Sequence, residues 1–74
     1  MDQSKYDKFA QAALADTDID AIGKALGMDR EEARRYAGFL RDDGLATLNF
    51  QSGARLTLTA KGHREIKPAK EEKS

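Results

Sequence analysis

Apolar residues in the first part of the chain recur at helical spacing. From Ser4 to Ala15 they follow the i, i+3, i+4, i+7 pattern of one helical face, and the row consists of Tyr6, Phe9, Ala10, Ala13 and Leu14. Ser4 is the predicted N-cap residue, because its hydroxyl can accept a hydrogen bond from the first helical turn. The sequence therefore predicts a first helix, which ends at the polar cluster Asp16-Thr17-Asp18.

Two further helices are predicted before the pattern changes. A short helix runs from about Ile19 to Leu26 and stops at Gly27. Its expected inward residues are Ile22, Ala25 and Leu26. A longer helix starts at Asp29, the first residue of an Asp-x-x-Glu capping box, and ends at Gly44. Its predicted buried stripe consists of Ala33, Tyr36, Ala37 and Leu40.

Beyond the third helix, apolar and polar residues alternate, which is typical of β-strands. The alternation predicts two strands joined by a polar turn, with the ranges 45–50, 51–54 and 55–59. Strands connected by so short a turn pair in an antiparallel hairpin. Phe50, at the end of the first strand, is expected to belong to the core.

These elements predict a mainly helical α+β fold, with three helices followed by a β-hairpin. At 74 residues the chain has room for one core, which we assign to residues 1–66. Residues 67–74 are rich in Lys and Glu and have little to bury, so they are predicted to form a disordered charged tail.

The segment from Ile19 to Tyr36 fits the pattern of a helix-turn-helix. Two helices that cross over a short turn need a small residue at the crossing, and Gly23 occupies that position. Gly27 lies in the turn, where a left-handed backbone is needed, and Met28 is placed to fill the space beneath it. The spacing therefore favours a second and third helix that pack as a pair.

Two motifs after this pair carry a resemblance to a known family. The exit from the third helix is Leu40-Arg41-Asp42-Asp43-Gly44-Leu45, and the second strand continues as Leu56-Thr57-Leu58-Thr59-Ala60-Lys61-Gly62. The latter is similar to the Leu-Thr-x-Lys-Gly segment of MarR-type and PadR-type bacterial regulators. Over roughly residues 4–66 the chain resembles the DNA-binding core of the three-helix winged helix-turn-helix proteins.

The resemblance implies sequence-specific binding of double-stranded DNA by a small transcriptional regulator from a prokaryote or a phage. Helix 29–43 would enter the major groove, and the wing 51–55 would touch the adjacent backbone or minor groove. Such regulators carry additional dimerisation helices and a ligand pocket, which this sequence lacks. The sequence leaves open whether the protein forms a homodimer.

Candidate contacts follow from the exposed side of the third helix and from the wing. Arg35 lies near the centre of that side and is the expected base contact, whereas Arg30, Arg34 and Arg41 suit phosphates. Glu31 either accepts from a cytosine amino group or reinforces the helix start. Gly38 would allow close approach of a phosphate backbone or of another protein chain. The remaining candidates, in and beyond the wing, are Gln51, Ser52, Arg55 and Lys61.

Composition narrows the classes of protein to which the chain can belong. Thirteen basic and thirteen acidic residues give a net charge of zero, but residues 1–29 hold six acids and three bases, and residues 30–74 hold ten bases and seven acids. The basic half therefore coincides with the predicted DNA-binding elements. Without cysteine, the chain can form no disulfide and has no thiol nucleophile. No apolar run is long enough to span a membrane, and a cytoplasmic location is expected.

Catalytic chemistry finds little support in the sequence. The only histidine, His63, has no second imidazole or thiol to complete a metal site. The acid pairs Glu31–Glu32 and Asp42–Asp43 consist of sequence neighbours that point in different directions. We therefore expect no enzyme, no metal and no cofactor. A winged-helix module that binds another protein is the alternative, because Glu31 and Asp42 lie on the face that would meet phosphates.

Overall fold

The computed structural model describes residues 2–67, which form a mainly helical α+β unit with one antiparallel hairpin. Its elements are α1 (Gln3–Ala13), α2 (Ile19–Ala25), α3 (Arg30–Asp42), β1 (Ala46–Asn49), β2 (Arg55–Leu58) and α4 (Ala60–Glu65). The arrangement is compatible with a winged helix. The three predicted helices and the hairpin are present, but the described chain has four helices, so the predicted number of three is wrong. Residues 68–74 of the predicted tail lie outside the described residues.

Aspartates cap the first three helices. The Asp2 carboxylate accepts hydrogen bonds from the backbone N–H groups of Ser4 and Lys5, so the predicted N-cap at Ser4 is wrong. Asp29 caps α3 as predicted and accepts a 2.7 Å bond from the backbone N–H of Glu32. The Glu32 carboxylate contacts Lys5 of α1 at 3.1 Å, which links the start of α3 to the first helix.

The core lies where α1, α2 and α3 meet the inner face of the hairpin. Its largest fully buried side chains come from four different elements: Phe9, Ile19, Ile22, Leu40 and Leu56. Each such side chain stabilises the fold by about 1.5–3 kcal/mol through removal of apolar surface from water. The predicted stripe of α3 is buried in full, whereas Ala25 of α2 is exposed, contrary to expectation.

The α2–α3 pair has the close crossing that its sequence predicts. A side chain at Gly23 would overlap Ala33 of α3, so only glycine lets the helices approach this far. Gly27 adopts the left-handed backbone, with a φ of 76°. Met28 is buried, and its backbone N–H donates a 2.7 Å hydrogen bond to the Gly23 carbonyl.

The segment between α1 and α2 adds backbone hydrogen bonds to the hairpin. The Ile19 N–H donates to the Ala54 carbonyl at 3.0 Å, and the Leu56 N–H donates to the Thr17 carbonyl at 2.8 Å. These bonds set Asp18 opposite Arg55 in an antiparallel bridge. Because β1 pairs with the other side of β2, the second strand is held on both edges and the start of α2 is fixed against the hairpin.

The Leu-Thr-x-Lys-Gly segment, residues 58–62, contacts the backbone that follows α3. Thr59 caps α4 by accepting from the Gly62 N–H at 3.0 Å, and its hydroxyl donates to the Gly44 carbonyl at 2.8 Å. A side chain at Gly62 would overlap the carbonyl oxygen of Leu45. The Lys61 ammonium donates to the Asp43 carbonyl at 3.2 Å. The motif therefore fixes where the chain turns from α3 into β1.

Candidate nucleic-acid interface

Four arginines project from the solvent side of α3. Arg30, Arg34, Arg35 and Arg41 are all exposed, while the opposite stripe of the helix is buried in the core. At 1.5 Å per residue they extend over roughly 16 Å of helix, a length comparable to several phosphate spacings along DNA. The predicted phosphate contacts are therefore together on one accessible helix, and Arg35 is accessible between them.

An aspartate of α2 organises two of these arginines. One carboxylate oxygen of Asp20 lies 3.4 Å from a terminal nitrogen of Arg34 and 4.0 Å from Nε of Arg30. The other oxygen is buried and has no hydrogen-bond partner among the described residues. Sequence reasoning missed this contact, because fourteen residues separate Asp20 from Arg34. Exposed ion pairs of this kind are weak, so an anion can compete for both guanidinium groups.

Phe50 is exposed, which contradicts its assignment to the core. Its residue surface is 51% accessible, and it is the only large hydrophobic residue exposed within residues 2–67. The alternation predicted for β1 is present: Ala46 is buried, Leu48 is half-buried and Phe50 follows in the same row. Phe50 is the last residue of this row and lies beyond the edge of the core. There the Arg34 guanidinium lies over the Phe50 ring, 5.6 Å from its centroid.

Acidic residues share the exposed side of α3. Glu31 and Asp42 are both exposed, and Asp42 lies 3.6 Å from the guanidinium of its neighbour Arg41. Gly38 lies between them, and a methyl group added there would meet no atom within 4 Å apart from the neighbouring backbone of its own helix. Packing within the chain therefore does not require glycine at this position. The side of α3 is basic in total but contains acids at both ends.

The turn of the hairpin is polar and tightly folded. Gln51 and Ser52 are exposed, and the Gln51 N–H donates to the side-chain oxygen of Asn49 at 2.8 Å. Gly53 has a φ of 97°, a conformation that side chains disfavour. Arg55 pairs with Asn49 in the strand register and is exposed. The turn thus exposes polar side chains and one guanidinium.

Lys61 lies in α4, where its ammonium already binds the Asp43 carbonyl. On the α1 side of the same turn, the Tyr6 hydroxyl donates a 2.5 Å hydrogen bond to the Asp43 carboxylate. Burial, together with this carboxylate, raises the pKa of Tyr6 above its ordinary value. Asp43 therefore joins α1 and α4 at the exit of α3, and Lys61 has a structural contact that the sequence did not reveal.

Neither a cluster of metal-binding side chains nor a membrane-spanning helix is found in the described part of the chain. Within residues 2–67, no group of three His, Cys, Asp or Glu side chains could hold a metal ion. No helix in the same range is long and apolar enough to cross a membrane. Comparison of the chain with protein families, with curated proteins and with solved structures finds no match. The resemblance to winged-helix regulators thus depends on the motif residues alone.

Proposed function

We propose that this protein is a winged helix-turn-helix protein, nearest in motif to the MarR-type and PadR-type regulators, that binds double-stranded DNA sequence-specifically as a small transcriptional regulator. The row of exposed arginines on α3 carries the proposal. A helix with exposed guanidinium groups on its outer side, next to a polar hairpin, has the shape and charge to lie in a major groove. The hairpin turn, residues 51–55, would then touch the adjacent backbone or minor groove.

Roles within the interface follow from position. Arg35 has no ion-pair partner among the described residues, and we assign it to base reading, ideally a guanine edge. Arg30, Arg34 and Arg41 would bind phosphates, which position the protein without reading sequence. Asp20 neutralises part of the charge of Arg34 and Arg30, so phosphate would have to displace it from both guanidinium groups. The protein acts by binding in this proposal and is not an enzyme.

Protein binding is the second candidate function. Glu31 and Asp42 would repel phosphates if they faced a DNA backbone, and Phe50 offers apolar surface of the kind enriched in protein interfaces. The arginines outnumber these acids on α3, which favours DNA. The two functions differ sharply in their dependence on salt, because only DNA binding releases condensed counterions.

Fluorescence anisotropy with a labelled duplex of random sequence tests the proposal. At about 20 mM salt we expect measurable binding, and the slope of log affinity against log salt should correspond to several neutralised phosphates. Selection of bound fragments from a genomic library would then supply the preferred site. Failure to bind any duplex at this salt concentration would refute DNA binding and favour the protein-binding alternative.

Two variants separate base reading from phosphate binding. Arg35→Ala should relax the preference for the selected site over random duplex, whereas Arg55→Ala should weaken binding to all sequences by the same factor. Lys8→Ala is the control, since Lys8 is an exposed base on α1, away from the interface. If Arg35→Ala leaves the preference intact, sequence is read elsewhere.

A further inference from the structure

Phe50 and Arg34 form a composite surface that duplex binding by α3 does not explain. The ring is half exposed, and the guanidinium lies 5.6 Å from its centroid. A carboxylate oxygen of Asp20 lies 3.4 Å from a terminal nitrogen of the same guanidinium. Three elements thus meet here, with α2 providing the acid, α3 the cation and the end of β1 the aromatic ring.

The backbone around the ring keeps it in place. β1 is paired with β2 up to Asn49, immediately before Phe50, and the Asn49 side chain binds the N–H of Gln51 just after it. Ala54, on the other side of the turn, is buried and accepts a bond from Ile19. The ring is therefore presented on a fixed support, so a ligand that stacks on it does not have to order a free loop.

We propose that Phe50 and Arg34 are a stacking platform for an unpaired nucleotide base. An aromatic face beside arginines is the combination that binds single-stranded nucleic acid, since bases stack on rings and cations attract the backbone. A base inside a duplex is stacked on its neighbours and offers no free face to Phe50. This inference rests on the proposed DNA binding by α3 and adds a preference for duplexes that carry a single-stranded extension.

Charge supports a nucleic acid over an apolar partner at this surface. Arg30 lies 4.0 Å from Asp20 and its side chain is 75% exposed, so the arginine that approaches the ring belongs to a cluster of two cations around one acid. An isolated exposed phenylalanine is common on protein surfaces and needs no ligand. A phenylalanine whose ring is approached by one of two clustered arginines matches the chemistry of a base and its phosphate.

The experiment compares one labelled duplex with blunt ends and the same duplex with a thymidine extension of about five nucleotides. Stacking of one base should make the extended duplex bind about ten times more tightly. Phe50→Ala should bring the ratio of the two affinities close to one, whereas Phe50→Trp should keep it. Thr57→Ala, an exposed change on β2 away from the ring, is the control and should leave the ratio unchanged.

Phe50→Trp also provides a direct signal, because the natural chain contains no tryptophan. Stacking on a base should quench its fluorescence with the extended duplex and not with the blunt one. Blunt duplex binding without any preference for the extension would refute the platform and leave the proposed function intact. Binding of the extension that persists in Phe50→Ala would also refute the platform. Absence of binding to both duplexes would overturn both proposals.

Discussion

Gly62→Ala should be among the most destabilising single-methyl additions in this chain. The new methyl group would overlap the Leu45 carbonyl oxygen and would lie 3.1 Å from its carbonyl carbon. These atoms belong to the backbone between α3 and β1, so they cannot move aside as the end of a flexible side chain can. Either α4 must shift away from the hairpin, or the exit of α3 must open.

The cost follows from the contacts that would be strained. Overpacking a well-filled site costs about 1–3 kcal/mol. Movement of α4 also weakens the bonds from the Gly62 N–H to Thr59 and from the Thr59 hydroxyl to Gly44, each worth about 1 kcal/mol. Alanine returns roughly 1 kcal/mol through its higher helix propensity. The net loss is therefore about 2–4 kcal/mol, which for a domain of this size lowers Tm by roughly 10–25 °C.

Thermal unfolding followed by circular dichroism measures this shift, and Gly38→Ala is the matched control. Both changes add one methyl group to a helical glycine, but the methyl group at Gly38 meets no atom within 4 Å apart from the neighbouring backbone of its own helix. The control should therefore raise stability by about 1 kcal/mol. Equal Tm values for the two variants would refute the reasoning, because the fit of Gly62 against Leu45 would then contribute nothing.

Three further changes test the site and its surroundings. Gly38→Ala should weaken duplex binding in anisotropy titrations although it stabilises the helix; unchanged affinity would show that no DNA backbone approaches Gly38. Asp20→Asn should raise affinity for random duplex several-fold at low salt, since it removes an acid 3.4 Å from Arg34, and the gain should vanish at high salt. Tyr6 has a raised pKa when folded, so its contribution to stability is complete below about pH 10 and is lost above it. The difference in free energy of unfolding between the natural chain and Tyr6→Phe, measured by denaturant titration, should accordingly narrow above that pH. A difference that stays constant would contradict the raised pKa of Tyr6 in the folded chain.

The local spacing of apolar residues was sufficient to predict the helices and strands that form the core. The helical period gave the buried stripe of α3 residue by residue, and alternation gave the inner face of β2, where Leu56 and Leu58 are buried. Gly23 and Gly27 were identified because a helix crossing and a tight turn each impose a steric requirement on one position. Such requirements can be predicted from a sequence, since Gly23, Gly27 and Ala33 all belong to one continuous pair of helices.

The fourth helix could not be predicted from local pattern. Residues 60–65 contain a glycine and no apolar period, and an isolated helix of this length is unstable in water. Its support comes from Thr59, which bonds Gly44 fifteen residues earlier, and from contact between Gly62 and Leu45. The side-chain pairs of the interface escaped prediction for the same reason, because Asp20, Arg34 and Phe50 meet only in the folded chain.

The family resemblance and the proposed DNA binding depend largely on different residues, although Arg41 and Lys61 belong to both sets. Thr59 and Gly62 fasten the exit of α3, so they would be required whatever partner the protein has. Arg34 and Arg35 lie on the exposed side of α3; Arg34 contacts only Asp20 and the exposed Phe50 ring, and Arg35 has no ion-pair partner among the described residues. A fold can therefore keep the motif while its partner changes. For this reason the arginine variants and the Phe50 variants, rather than changes in the motif, decide between DNA and protein as the partner.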